Sequence, residues 1–317
     1  MKKFAAVLLL VITLLGLASC TSSKKADIVT TMFPQYDFAR QIVGDKMTVS
    51  LLVPPGVEVH AYEATSKDMV AIKESKLFIF TSLEIDQWVK DPQTIGGEDT
   101  IVMNLSEHVT EVPHDHEHTE TSLVLSTEHE HDHSAELHYW VDPVIAIALI
   151  DAILHEIVEI DPANEAFYEA NAHAYQELLH DAHEELDAFI QNGYVDASIY
   201  FAGHNALGMF AERYHINIVS LFEGFKPDAD LTSSELISFT EVVKSSSVHT
   251  LFIEELAEPK AALQIKNELA KENYSLTLLE LHAYHNVTKE QMEDGIRYID
   301  LFRQNIDSIK SVLTQNI

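Results

Sequence analysis

Between Ala163 and Asn192 the chain contains neither glycine nor proline, and Ala, Glu, Leu and Tyr dominate the stretch. Ala, Glu and Leu are strong helix formers, so one uninterrupted helix of about 30 residues is expected, about 45 Å long at the standard rise. Gly193 is its natural stop. On both sides of this rod, strand-like and helix-like segments alternate. Before it, strands are expected at Ile28 to Met32, Met47 to Val53, Leu77 to Thr81 and Ile101 to Leu105, with helices at Pro34 to Val43, Ser66 to Ser75 and Val144 to Ile160. After it, strands at Ser198 to Ala202, Ile216 to Leu221, Thr250 to Glu254 and Leu276 to Glu280 alternate with helices at Ala206 to Tyr214, Ser234 to Lys244 and Lys260 to Glu272, and a last helix lies near Glu290 to Leu313. That order argues for α/β structure with mainly parallel sheets. The simplest arrangement is two (β/α) lobes, at 27–162 and 193–317, joined by one long rigid helix at 163–192. A single large doubly wound domain competes with it.

The N-terminus carries a separate message. Lys2 and Lys3, an apolar stretch from Phe4 to Leu17, and the sequence Leu17-Ala18-Ser19-Cys20 read as a secretory signal over 1–19 that ends in a lipobox. The apolar stretch is too short to span a bilayer as a mature helix. Cys20 is the only cysteine, which excludes both a disulfide framework and a thiolate metal site. Its place at the cleavage point makes it the expected lipidated residue, followed by a polar tether through residue 26.

Charge narrows the partners. A net charge of -31 repels phosphate backbones and anionic lipid and concentrates cations, so no nucleic acid partner is expected. The chain also holds 18 histidines. Six of them, His114, His116, His118, His129, His131 and His133, lie in the low-complexity loop 114–133, HDHEHTETSLVLSTEHEHDH. Its letters match two zinc-protease patterns, but every other residue there is His, so the match is compositional. An accessory, exchangeable metal contact is its expected role.

In parallel sheets ligands bind beyond the carboxyl ends of the strands. Four places put histidine there. His60 follows the second strand and a Pro-Pro-Gly turn, His204 ends SIYFAGH before a helix, and His138 opens HYWVDP. His282 follows LTLLEL, with Glu280 two residues earlier and His285 three later. With thiolate excluded, zinc would be expected to take three or four imidazoles and at most one carboxylate. His173, His180 and His183 share a face of the long helix and read as solvated helix residues.

These motifs resemble the metal-binding solute-binding proteins of ABC importers, the zinc and manganese group of ZnuA-like and TroA-like lipoproteins. PPGVEVHAYEATSKDMVAIKESKLFIFTSLEIDQWV is similar to that family's stretch around its first ligand, which places His60 there. HYWVDP resembles the second ligand motif, with His138, and AGHNALGMFAERYHI the third, with His204. FIEELAEPKAALQI and YIDLFRQNIDSI also match in kind, and the acidic His-rich insertion is a mark of the zinc branch. At the fourth position, where the family usually has Asp, the stretch is LLELHAYHN. The alignment favours His282, with Glu280 as the alternative; His282 would favour zinc, and Glu280 would keep manganese in play.

The resemblance implies a metal site in the interlobe cleft and zinc as the transported ligand. It also implies delivery to an ABC permease and its ATPase, by a monomer held to the outer face of the cell membrane. No enzymatic activity is expected. A metal-dependent enzyme would need an open coordination position beside a general base, and a surface adhesin on the same fold is a further reading.

Overall fold

The computed structural model describes residues 25–111, 137–222 and 232–315. The first lobe runs β1 (Ile28–Thr30), α1 (Phe33–Val43), β2 (Val49–Leu51), α2 (Ser66–Glu74), β3 (Leu77–Phe80) and β4 (Ile101–Asn104). Two helices follow, α3 (Pro143–Ile160) and α4 (Glu165–Gln191). The second lobe runs β5 (Ser198–His204), α5 (Gly208–Tyr214), β6 (Asn217–Phe222), α6 (Ser233–Ser245), β7 (Thr250–Ile253), α7 (Lys260–Lys271), β8 (Thr277–Glu280) and α8 (Tyr298–Gln315). The sheet orders are β2-β1-β3-β4 and β6-β5-β7-β8, with every neighbouring pair parallel. Both lobes therefore repeat one wiring. In each, strand addition reverses direction beside the first strand, which opens a crevice at the carboxyl edge.

The long helix forms as its composition dictates. Tyr168, Ala172, Tyr175, Leu179, Ala182, Leu186 and Ile190 are its buried residues, spaced three or four apart, so they make one apolar stripe. That stripe belongs to the largest of three hydrophobic clusters among the described residues, the one that runs through both lobes. It includes Phe38 and Ile42 of α1, Leu149 and Ile153 of α3, Phe201 of β5 and Phe302 and Ile306 of α8. A buried carboxylate pins the helices at this seam. Asp37 of α1 accepts from Arg40 at 2.7 Å, from Tyr175 Oη of α4 at 2.6 Å and from the Tyr298 N–H that starts α8 at 2.8 Å.

One element departs from expectation. The last helix is not continuous: a short helix, Lys289–Glu293, ends before Gly295, whose φ of 75° is open to glycine, and α8 starts only at Tyr298. Among the described residues no helix is long and apolar enough to cross a membrane.

Candidate metal centre

Four imidazoles meet where the carboxyl edges of the two sheets face each other. His60 comes from the β2–α2 loop, His138 from the turn before α3, His204 from the last residue of β5 and His285 from the chain after β8. Their ligand nitrogens all lie within 4.8 Å of one another. Ring centroids are 5.0 to 5.6 Å apart in all six pairs. Four nitrogens held about 2.0–2.1 Å from a tetrahedral zinc stand about 3.3–3.4 Å apart. His138 Nε2 and His204 Nε2 are 3.4 Å apart.

Each ring is set by its own surroundings. At the β5 end, where the register shifts between Phe201 and His204, a Cβ on Gly203 would lie 2.6 Å from the Phe201 ring and 3.1 Å from Glu254 Oε2, so any larger residue would have to displace the ring and crowd the carboxylate. His204 Nδ1 then sits 2.8 Å from Glu254 Oε1. His138 is fully buried, and its neighbours anchor it to both lobes. Tyr139 Oη donates to Thr81 O at 2.7 Å and Trp140 Nε1 to Ala283 O at 2.9 Å. Asp142 caps α3 through the Val144 N–H and takes Arg213 of α5 in a two-pronged ion pair at 2.9 and 2.8 Å. The His60 loop is folded on Glu58, whose carboxylate accepts the N–H groups of His60 and Ala61 at 2.8 and 2.9 Å. Asn286 of the opposite lobe holds that loop through Pro54 O and Val57 O, at 2.8 and 2.9 Å.

His285 is the fourth member of the group, in place of the expected His282 or Glu280. Its Nδ1 bonds to Glu255 Oε1 at 2.9 Å, and its buried Nε2 has no hydrogen-bond partner among the described residues. Glu280 ends β8 exposed to solvent, and His282 is buried with its ring turned to its own chain. The physical reason is Tyr284, which takes φ 64° just before a bend at His285, so that the ring three residues after His282 enters the cleft. Sequence reasoning also passed over Glu254 and Glu255. These paired acids at the end of β7 each orient one ring of the group, the carboxylate–histidine arrangement that fixes which imidazole nitrogen faces a metal. The only signal was two consecutive acids directly after a buried apolar strand.

Burial, and then repulsion from His285, His204 and His138, holds His60 well below the ordinary imidazole range. Burial would lower His285 too, but its bond to Glu255 together with the negative charges of Glu255, Glu254 and Glu58 outweighs that and raises it. Burial opposes ionisation of Glu255, yet the bonds from the His285 ring and the Ala283 main chain draw it well below the usual carboxylate range. Of the His60 and His285 rings, His285 therefore takes up a proton at the higher pH. A side-chain exposure of 17% for His60, against 10% for His204 and 7% for His285, makes His60 the ring nearest solvent. A small cavity between the 56–60 loop and the 254–257 loop leads to it. The accessory candidates His114, His116, His118, His129, His131 and His133, like Cys20, lie outside the described residues.

The chain is 30% identical over 328 residues to the high-affinity zinc uptake system protein ZnuA of Bacillus subtilis, covering 98% of each chain. It is 28% identical to the zinc-binding lipoprotein AdcA of Streptococcus pneumoniae, over 99% of this chain but only 62% of that protein. The crystal structure of the Zn(II)-bound ZnuA-like domain of Streptococcus pneumoniae AdcA superposes with a TM-score of 0.71 at 26% identity, covering 91% of this chain and 98% of the domain. Residues 28–312 match the family described as zinc-uptake complex component A, periplasmic (ZnuA), and the chain belongs to that family.

Proposed function

We propose that this chain captures Zn²⁺ outside the cytoplasm and delivers it to an ABC permease and its ATPase for uptake. The observation that carries the reading is the set of four imidazoles from both lobes, with ligand nitrogens within 4.8 Å of one another, one pair at the 3.4 Å of a zinc tetrahedron, and no carboxylate or thiolate among them. Imidazole suits zinc, whereas manganese prefers oxygen donors. The metal is cargo: His60, His138, His204 and His285 would replace its hydration shell, and four ligands leave no open position of the kind a catalytic zinc keeps. Glu254 and Glu255 place two negative charges beside two of the rings, matching the charge of a divalent ion in a buried cleft.

Release follows when the permease draws the lobes apart or when ligands take up protons. Lipidation of Cys20 would hold the monomeric chain at the outer face of the membrane, within reach of the permease, and the histidines of 114–133 would gather metal near the cleft.

The test is metal analysis of the purified protein, then competitive titration of Zn²⁺ against Mn²⁺, repeated with 114–133 deleted. One tight zinc per chain, preferred over manganese and kept in the deletion, is expected. Tight binding that vanished with the deletion alone would move the site out of the cleft.

A further inference from the structure

His282 occupies the strand-end place where a ligand was expected, yet it is buried and spends its ring nitrogen on its own backbone. Nδ1 accepts the N–H of Tyr284 at 2.8 Å, and the two rings stack with centroids 5.6 Å apart and planes 20° from parallel. Because that N–H is a donor, the ring's Nδ1 carries no proton and acts as acceptor.

Asn305 of α8 holds the same residue by its main chain. Its Oδ1 accepts the His282 N–H at 2.8 Å, and its Nδ2 donates to His282 O and to Tyr284 Oη, both at 2.7 Å. Tyr284 is fully buried at φ 64°, a conformation that bulky side chains rarely adopt without support from their surroundings. Side chains of Asn and Asp stabilise turns by accepting the N–H two residues on. Here an imidazole does the same work at the same spacing.

The geometry points to His282 as a positioning residue: its Nδ1 caps the left-handed turn at Tyr284, and that turn presents His285 to the metal. His282 does not itself ligate. The assignment rests on reading the four-imidazole group as the zinc site. It also predicts which residue can stand in. Asn at 282 can place Oδ1 on the Tyr284 N–H, as in an Asx turn, and Ala cannot.

The experiment uses the secreted chain without its signal, comparing parent, H282A, H282N and H285N. Zinc affinity is read by chelator competition, the ligand set by the visible spectrum of bound Co²⁺, and folding by metal-free thermal melts. H282A should weaken zinc binding about 10–100-fold, the usual effect of losing an outer-sphere support. H282N should recover to within about threefold of the parent, with an unchanged Co²⁺ spectrum. H285N should both weaken binding and shift the spectrum, because a coordinating nitrogen is lost. An H282N protein that melts as a folded chain but binds as weakly as H282A, or that shifts the Co²⁺ spectrum, overturns the assignment. A parent that takes up neither Zn²⁺ nor Co²⁺ overturns the zinc-site reading itself, and the assignment with it.

Discussion

Glu255→Gln keeps the length of the side chain and one acceptor oxygen while removing the charge. The carboxylate takes three N–H bonds, from His285 Nδ1 at 2.9 Å and the His285 main chain at 3.2 Å on Oε1, and from the Ala283 main chain at 3.0 Å on Oε2. A carboxamide has a single acceptor oxygen, so whichever way it turns, its NH₂ group faces a buried donor. Leaving such a donor unsatisfied costs about 1–3 kcal/mol, a loss that falls on the metal-free protein and lowers its melting temperature. The loaded site loses in addition a charge-assisted bond to a ligand ring. Outer-sphere losses of this kind weaken metal affinity about 10–100-fold, or about 1.4–2.7 kcal/mol.

Glu255 has an opposing effect through the proton, since it raises His285 and so strengthens the competitor that zinc must displace. Lowering the pH therefore handicaps the parent more than the variant, and the gap between them should be widest near pH 8 and narrow towards pH 6. Chelator competition at a series of pH values measures both quantities. Equal affinities at pH 8 to within about twofold, or a gap that grows as the pH falls, would refute the reasoning.

Other consequences follow from the same coordinates. In the parent, zinc affinity should begin to fall at a pH above the ordinary imidazole value of about 6.5, losing one proton's worth of slope at first, because His285 is raised and His60 is held low; affinity that stays flat from pH 8 to pH 6 would contradict this. Asp86 is buried and pushed up to about 6 by that burial, despite bonds from the Thr81 N–H at 2.6 Å and Thr31 Oγ1 at 3.2 Å. Its folded pKa exceeds its unfolded one, so its contribution to stability falls as the pH rises from about 4 to about 6. D86N should remove that trend, gaining on the parent in metal-free thermal melts as the pH rises; parallel pH profiles would exclude the effect. Leu179→Ala, in the fully buried stripe of α4, should cost about 2–5 kcal/mol in denaturant unfolding, and a smaller loss would mean the stripe repacks.

How much of this was legible in the sequence depends on which force sets each feature. The helix α4 was readable because nothing in 163–192 interrupts it and its apolar spacing has a single period. His60 and His204 were readable because each sits where a strand gives way to a loop, and His138 because it opens the turn before a helix. The fourth imidazole was not, because the bend that follows Tyr284 depends on a tyrosine in a backbone conformation that local propensity assigns to glycine. Asn305, twenty-three residues beyond His282 and bonded to its main-chain N–H and C=O, holds that conformation together with the His282 ring, which takes the Tyr284 N–H. Glu254 and Glu255 were opaque for a related reason: in a chain this acidic, two more carboxylates carry no distinguishing signal until their ring partners are placed. Gly295 was visible, and its break in the final helix was a turn signal that the amphipathic pattern around it overrode.

The stripe on α4 and the Asp37 carboxylate serve both lobes at once, so the two sheets are not independent folding units. A chain severed at Gly193 would yield fragments that each expose one half of a shared apolar seam. Neither should give a cooperative melt alone, and the pair should regain one transition when mixed. A carrier assembled this way reports an event in its cleft to the whole molecule as a change in unfolding cooperativity, even if its outline hardly alters.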